Sequence, residues 1–525
     1  MSFCEDCGAP LTPGVLFCEN CGARVTSQEF APPYTDDELK SKGAPSQETG
    51  LIYTNSTLLA SQPDAGFSKE NFLSLINQFI EDAKTRGVFY ELYDVCNDFS
   101  DSGKIEKHIE LISKRYSKKP FTYLFIIGSS SVIPSAVWKN EACDSNSDKD
   151  VSGDLCYSTL NLKSPFAGMK YNFSRTIRTG RLPNCDFARY FENLKNGSGK
   201  PGEIKTFGLS AKVWQKETCD IYSHITSGNT VLTSPEYTKD NVGSVLPADA
   251  NLFLYNLHGS NQTEYWYGQQ GESYPEAVSP ETFGAISKPY FLAVEACYGA
   301  AYEGRGSSKS VLLNSLSGRC ISFLGSSRIA FGASEAPGSC ADIISDFWLQ
   351  KVRSGMSAGD SLEAARETLM NGDKSPETIK TLAEFSLYGD PSVRMNEALK
   401  QVQGDGAKVC HPELTSRHAE LTGRNPELVS GSVTGSSSLL HISLPDIHMA
   451  VRREIAAVDQ KIEEAIEEMV YSQHADLKGV KPVFYKTHGA VDMNAVFSGK
   501  STLGPKIVNV RFSPAGEIKG MLESK

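Results

Sequence analysis

The sequence predicts an α/β fold, a mostly parallel sheet flanked by helices, with a small module at either end. Three observations carry this. From residue 49 to about 130, strand and helix patterns alternate, the signature of a parallel sheet covered on both faces. Two later runs, Phe253 to Ser260 (FLYNLHGS) and Phe291 to Gly299 (FLAVEACYG), read as buried strands with an abrupt stop at glycine. Before all of this, residues 1–26 hold two CxxC pairs in a stretch too short to build a core without a metal.

The chain has 525 residues, enough for two or three domains and a large core. Its net charge of −11 argues against a nucleic-acid-binding surface. No apolar run reaches the length of a membrane span. The N-terminus lacks the charged and apolar regions of a signal peptide. Of 13 cysteines, four sit in the CxxC pairs and the rest have no framework spacing, which suits a reducing, cytoplasmic location.

Taken in order, Cys4-x-x-Cys7 and Cys18-x-x-Cys21 each close on a glycine and are separated by a loop short enough for a hairpin. Four soft sulfur ligands select Zn2+ in a closed, structural site, so residues 1–26 read as a zinc ribbon whose role is contact or regulation. Two chance CxxC turns, or a redox dithiol, are the plainer alternatives. Residues 27–48 are polar, proline-bearing and without period, hence a linker. The main unit spans 49–402. Its elements begin with a strand at Leu51 to Thr54 and a helix from Ser68 to Arg86, whose apolar face (Phe72, Leu75, Ile76, Phe79, Ile80, Ala83) ends at Gly87. A strand at Val88 to Val95, a helix at Asp101 to Tyr116 and a buried strand at Thr122 to Ile127 follow. Residues 128–170 break the rhythm. Strands are then expected at Met169 to Thr179, Ile204 to Ser210, Thr230 to Thr233, the two organising runs and Cys320 to Gly325. Helices are expected at Phe187 to Leu194, Glu217 to Ile225 and Ser308 to Leu316, and then near 340–354, 358–371 and 377–387. Residues 403–440, rich in Gly, Ser and Asn, form a second linker or an irregular insertion. Residues 441–525 form a small α+β module, with one long helix over 446–471 and four short strand candidates.

Parallel sheets place ligands at the carboxyl ends of their strands. The first organising strand ends in His258-Gly259 and the second in Cys297, with Gly299 two residues on. A lone histidine or cysteine at a strand end is usually structural, and a buried cysteine behaves as a small hydrophobe. Two adjacent strands presenting one imidazole and one thiol to a single crevice form a base and a nucleophile. Such chemistry also needs backbone N–H groups to receive the oxyanion, and those of Gly259 and Cys297 are the candidates.

The run from about 50 to 395 resembles the gingipain-type cysteine peptidases, relatives of caspases, clostripain and separase in the caspase-like fold. The matching pieces, in order, are Ile126-Ile127-Gly128 with Ile133-Pro134, Ser152-Gly153-Asp154-Leu155-Cys156-Tyr157 and Gly180-Arg181-Leu182-Pro183. They continue with Asn256-Leu257-His258-Gly259-Ser260, Glu295-Ala296-Cys297-Tyr298-Gly299 and Tyr388-Gly389-Asp390-Pro391-Ser392. The resemblance implies His258 as base, Cys297 as nucleophile, and peptide-bond hydrolysis through a thioester. The place of the family's imidazole-orienting acid looks like Lys212. Glu217 or Asp220 then substitutes, or the enzyme works as a dyad. Asp220 also resembles the acid that reads a basic P1 side chain, although it can equally serve a helix N-terminus. Ser326 and Ser327 are expected in a wall of that pocket. The implied activity is a cytoplasmic cysteine endopeptidase cutting after Arg or Lys, activated by a partner or by processing. The partners are a protein or peptide substrate and a regulatory protein bound through the ribbon or the C-terminal module, with no membrane and no nucleic acid. The alternative is an inactive caspase-like scaffold that binds partners through the two end modules.

Overall fold

The structure is a computed structural model that describes residues 2–3, 10–11, 48–62, 66–171, 176–198, 203–226, 230–334, 338–371, 374–395, 447–450, 453–487 and 491–525. The cysteines expected to bind zinc, Cys4, Cys7, Cys18 and Cys21, lie outside the described residues, as do 27–47 and 403–440.

Ten strands form the central sheet: β1 (Glu48–Thr54), β2 (Val88–Asp94), β3 (Tyr123–Ile127), β4 (Arg178–Leu182), β5 (Thr206–Ala211), β6 (Leu232–Ser234), β7 (Leu252–Asn256), β8 (Tyr290–Val294), β9 (Cys320–Ser326) and β10 (Phe385–Gly389). Their order is β6-β5-β7-β8-β9-β10-β4-β3-β1-β2. Every neighbouring pair is parallel except β9 with β10. Two parallel half-sheets of opposite polarity therefore meet at one antiparallel seam. Helices cover the sheet, and the apolar run of each central strand is buried on both faces, as parallel strands require. One long covering helix, α1 (Lys69–Thr85), shows how the sequence sets its limits. Ser68 caps it by accepting from the Asn71 N–H at 3.2 Å, Phe72, Ile76, Phe79 and Ala83 face the core, and Gly87 leaves with φ +83°.

Three of the short motifs interlock near the seam. Arg181, fully buried on β4, forms a two-pronged pair with Asp154, both N–O distances being 2.7 Å. The same guanidinium donates to the carbonyls of Gly128 at 2.8 Å and Ile133 at 2.7 Å. A Cβ on Gly180 would fall into the Gly389 carbonyl, and one on Gly153 into the Ala383 carbonyl, so both glycines permit close backbone approach. Asp390 accepts from Tyr90 Oη at 2.6 Å and pairs with Arg86 at 3.2 Å. It thereby ties the 389–392 turn to β2 and to the turn that follows α1.

The residues after 446 form a six-stranded antiparallel sheet with one strand borrowed from the main unit. Its order is Phe331–Ala333, β13 (Ile518–Ser524), β12 (Gly504–Phe512), β11 (Met493–Ser501), Val483–Thr487 and Arg453–Ile455. One helix, Gln460–Gln473, packs Ile466 and Val470 against Phe497, Val508, Val510 and Phe512.

Several elements differ from the sequence reading. The long helix expected over 446–471 starts at Gln460, where Asp459 caps it by accepting from the Lys461 N–H. The preceding residues pair instead as strands, Ile447–Ala450 and Arg453–Ile455, because partner strands were available to satisfy their backbone. The expected strand 169–179 divides into Ala167–Tyr171 and β4, so Gly180, Arg181 and Leu182 belong to the sheet. The last expected helix, 377–387, ends at Glu384, and Phe385–Gly389 becomes β10, the antiparallel strand. Short apolar runs do not distinguish the end of a buried helix from a strand.

Arg181→Ala would strand the Asp154 carboxylate and two carbonyls in the interior. The expected cost is about 3–5 kcal/mol, measured as a lower denaturant midpoint with the slope unchanged.

Candidate active site

The two organising strands are parallel neighbours, in register from Leu252 with Phe291 to Tyr255 with Val294. Their chains leave the sheet at the same edge, and His258 and Cys297 line one cleft together with Gly259, Ser260, Tyr274 and Tyr298. Gly259 lies against Cys297 so closely that a Cβ would enter the Cys297 carbonyl. Past the cysteine the chain turns sharply. Tyr298 has φ +52°, its N–H donates to the Arg328 carbonyl at 2.7 Å, and the Gly299 N–H donates to the Ala296 carbonyl at 2.9 Å. A left-handed tyrosine costs about 1–2 kcal/mol, and here it sits directly beside the thiol.

His258 is held by a glutamine. Its Nε2 lies 2.7 Å from Gln269 Oε1, while the Gln269 amide NH2 donates to the Gly271 carbonyl at 3.0 Å. The second bond orients the amide, which makes Nε2 the protonated nitrogen and leaves the Nδ1 lone pair free. Trp214 packs on the imidazole at 4.3 Å between ring centres, and Tyr274 meets it edge-on at 5.2 Å. Burial, reinforced by the Lys506 charge, pushes the His258 pKa down to about 3. Burial pushes the Cys297 thiol up to about 12, against a weak opposing contact to the Ala330 carbonyl at 3.6 Å. Both groups are therefore neutral between pH 5 and 10 in this closed arrangement.

The Cys297 N–H, an expected oxyanion donor, meets an oxygen. It donates to the main-chain oxygen of Lys525 at 2.9 Å, and the Lys525 N–H donates to the Ala330 carbonyl at 3.0 Å. From there the Lys525 side chain runs into a buried pocket of three carboxyl groups. Its Nζ lies 2.9 Å from Asp342 Oδ1, 3.3 Å from Glu217 Oε2 and 3.8 Å from Glu295 Oε2, and 4.5 Å from the centre of the Trp214 ring. Burial and the neighbouring Asp342 charge hold the Glu217 and Glu295 carboxyls well above the usual range. Burial would raise Asp342 as well, but the Lys525 ammonium, the two neighbouring glutamic acids and the Ser339 N–H overcome it and lower its pKa. The raised pKa of Glu217 and Glu295 favours their neutral forms, while the lowered pKa of Asp342 favours its carboxylate beside the Lys525 ammonium.

Elements from four parts of the chain build this pocket. Glu295 directly follows β8, two residues before Cys297. Glu217 lies on α2 (Gln215–Ser223) and Asp342 in the first turn of α3 (Ala341–Arg353), where the N–H groups of Ala333 and Ser339 also bind it at 2.7 and 2.9 Å. Gly332 forms the doorway, since a Cβ there would collide with the Lys525 side chain.

Asp220 does not reach the cleft; it is exposed on α2. The buried face of that helix runs through Glu217, Thr218, Ile221 and Tyr222, and at 100° per residue Asp220 points about 130° away from its centre. Glu217, offered as an orienting acid, contacts Lys525 and not His258. Lys212 is exposed and binds Gln215. Ser326 Oγ turns back to the Arg328 carbonyl and N–H, and Ser327 Oγ donates to the Ser152 carbonyl on the rim of a neighbouring groove. The wall beside Lys525 is made by Phe331–Ala333. Glu295 carried a sequence signal that was not used, a carboxyl inside an otherwise apolar strand. Asp342, Gly332 and Lys525 carried none. Among the described residues no cluster of three or more His, Cys, Asp or Glu could hold a metal, and no helix is long and apolar enough to cross a membrane.

Gly259→Ala would push the two strand-end loops apart. The expected loss is about 1–3 kcal/mol of stability, read from thermal or denaturant unfolding.

No family model matches the chain, and no curated protein matches it. Among solved structures it is similar to the complex of the pro- and mature domains of RgpB from Porphyromonas gingivalis, with 12% identity, 66% of this chain and 80% of that chain covered, and a TM-score of 0.49. It is also similar to the Arg-specific cysteine proteinase gingipain R (RgpB), with 9% identity, 89% and 96% covered, and a TM-score of 0.49.

Proposed function

We propose that the protein is a cysteine endopeptidase that cuts after a basic residue, with His258 and Cys297 as its dyad. The observation that carries this reading is one cleft in which an imidazole and a thiol stand beside a buried, three-carboxyl pocket filled by a lysine side chain. In the reaction the Cys297 sulfur bonds to the carbonyl carbon of the scissile peptide, and the thiol proton passes to Nδ1 of His258. The carbonyl oxygen, now an oxyanion, accepts from the Cys297 N–H, with the Gly259 N–H as the second donor. Collapse breaks the C–N bond, the imidazolium gives its proton to the departing amine, and a thioester remains. Water, deprotonated by the same imidazole, then releases the acid and restores the thiol. Gln269 takes the place of an orienting carboxylate. It fixes the tautomer, but as a neutral group it stabilises the imidazolium less than a carboxylate would.

That neutral partner is also what favours the second reading, a scaffold without activity. A fluorogenic scan of P1 residues separates the two. Cys297→Ala should abolish cleavage of Arg and Lys substrates while unfolding stays cooperative; cleavage by this variant at the wild-type rate rules the peptidase out. In a Lys525→Met background, where no lysine of the chain fills the pocket, Asp342→Asn should lower kcat/KM for basic P1 residues by about 30-fold or more, as expected when one partner of a buried charge pair is lost.

We further propose that Cys4, Cys7, Cys18 and Cys21 hold one structural Zn2+, because four thiolates closing on one tetrahedral ion leave no open position for chemistry. Elemental analysis should find one zinc per chain, and Cys4→Ser with Cys18→Ser should remove it without changing the P1 preference.

A further inference from the structure

The cleft is filled by the chain itself. β13 pairs antiparallel with Phe331–Ala333, Ser524 opposite Phe331, Glu523 opposite Gly332 and Leu522 opposite Ala333. An extended peptide laid on a strand edge is a general mode of peptide recognition, with main-chain bonds supplying affinity and alternate side chains supplying specificity. The last three side chains are all buried. Lys525 enters the three-carboxyl pocket, Ser524 Oγ turns inward and accepts from the Ile507 N–H at 3.1 Å, and Glu523 is buried between Trp214 Nε1 and Lys506, with Lys506 Nζ 3.0 Å away. The rest of the module closes over the site. Val496 and Ile507 pack in one cluster with Cys297, and Ser260 Oγ donates to the Leu503 carbonyl at 3.1 Å. What remains open between His258 and Cys297 is a cavity of about 30 Å³, room for a water or two and no peptide.

We propose that Ile518–Lys525 is a built-in competitive inhibitor, a substrate-like strand that seats Lys525 as the P1 residue and must leave before a basic peptide can enter. Residues 522–525 then mark the subsites, P4 to P1. The occupant is this strand because it already satisfies the oxyanion donor, the edge strand and the acidic pocket at once. The proposal rests on the peptidase reading, and the test separates the two.

The measurements use the full chain as wild type, Lys525→Met and Lys525→Glu, with Lys519→Met as a control on the exposed face of the same strand. Lys525→Met keeps the stem's volume and loses its charge; Lys525→Glu adds a like charge to the pocket. Two quantities are read: hydrolysis of an Arg-P1 fluorogenic peptide and the rate at which iodoacetamide alkylates Cys297. Both should rise at least tenfold in the two Lys525 variants and stay at the wild-type level in Lys519→Met. Faster alkylation without hydrolysis in any form supports the plug and refutes the peptidase. Alkylation and hydrolysis at wild-type rates in both variants overturn the plug, whatever the activity. If the variants fail to fold, hydrogen exchange on the wild type decides. Excess free peptide Leu-Glu-Ser-Lys should speed exchange at residues 518–524, whereas Leu-Glu-Ser-Glu should not, and equal exchange with both peptides overturns the proposal.

Discussion

The site depends on the parallel pairing of β7 with β8. Because the two strands run the same way and in register, their ends emerge at one edge, and a side chain a few residues past each end shares a crevice with the other. A slip of one residue in either strand would turn that strand's side chains to the opposite face and break the shared crevice. Gly259 then sets how near the two loops can come, for only a residue without a Cβ fits against the Cys297 carbonyl. The supporting half-sheet reaches this edge across the β9/β10 seam, near which Arg181 and Asp154 knit strand β4 to the loops after β3.

Electrostatics explains why an acidic pocket can be buried at all. Three ionised carboxyls in the interior would be prohibitively costly. Raised pKa values at Glu217 and Glu295, with one lysine ammonium beside Asp342, ease that cost, and the same balance underlies the proposed selectivity. A neutral side chain in place of the ammonium leaves the Asp342 carboxylate without its counter-charge, and an acidic one adds repulsion. Both oxygens of Glu295 lack a hydrogen-bond donor in the present arrangement. A guanidinium, with five N–H groups in a planar fork, has donors to spare where an ammonium has three.

Much of this was legible in the sequence, and the boundary between what was and was not has a physical cause. The fold followed from apolar runs and glycine stops, which are local. His258 and Cys297 followed because each is an odd residue at the end of a buried strand. The motif glycines and Arg181 were visible, but not their purpose, which is to let backbones touch and to bury a charge at the seam. Asp220, expected to read a basic P1 side chain, lies on the exposed face of α2 while Glu217 is buried, since only the packing of α2 decides which of its faces is inward. Asp342, Gly332 and Lys525 were out of reach. Each matters only because distant segments converge, and no spacing within one element records a contact between residues 308 positions apart.

In the proposed peptidase, the protonated, covered state of Cys297 has a consequence beyond catalysis. Peroxide attacks thiolates, and its reaction with a sulfur scales with how much thiolate is present and exposed. With the sulfur neutral and packed against Ile329 and Phe331 under Val496 and Ile507, the closed chain keeps its thiol at the reduced end of the oxidation ladder. Vulnerability to oxidative loss begins only when the cover lifts, so the lifetime of the reactive sulfur is set by how long the cleft stays open.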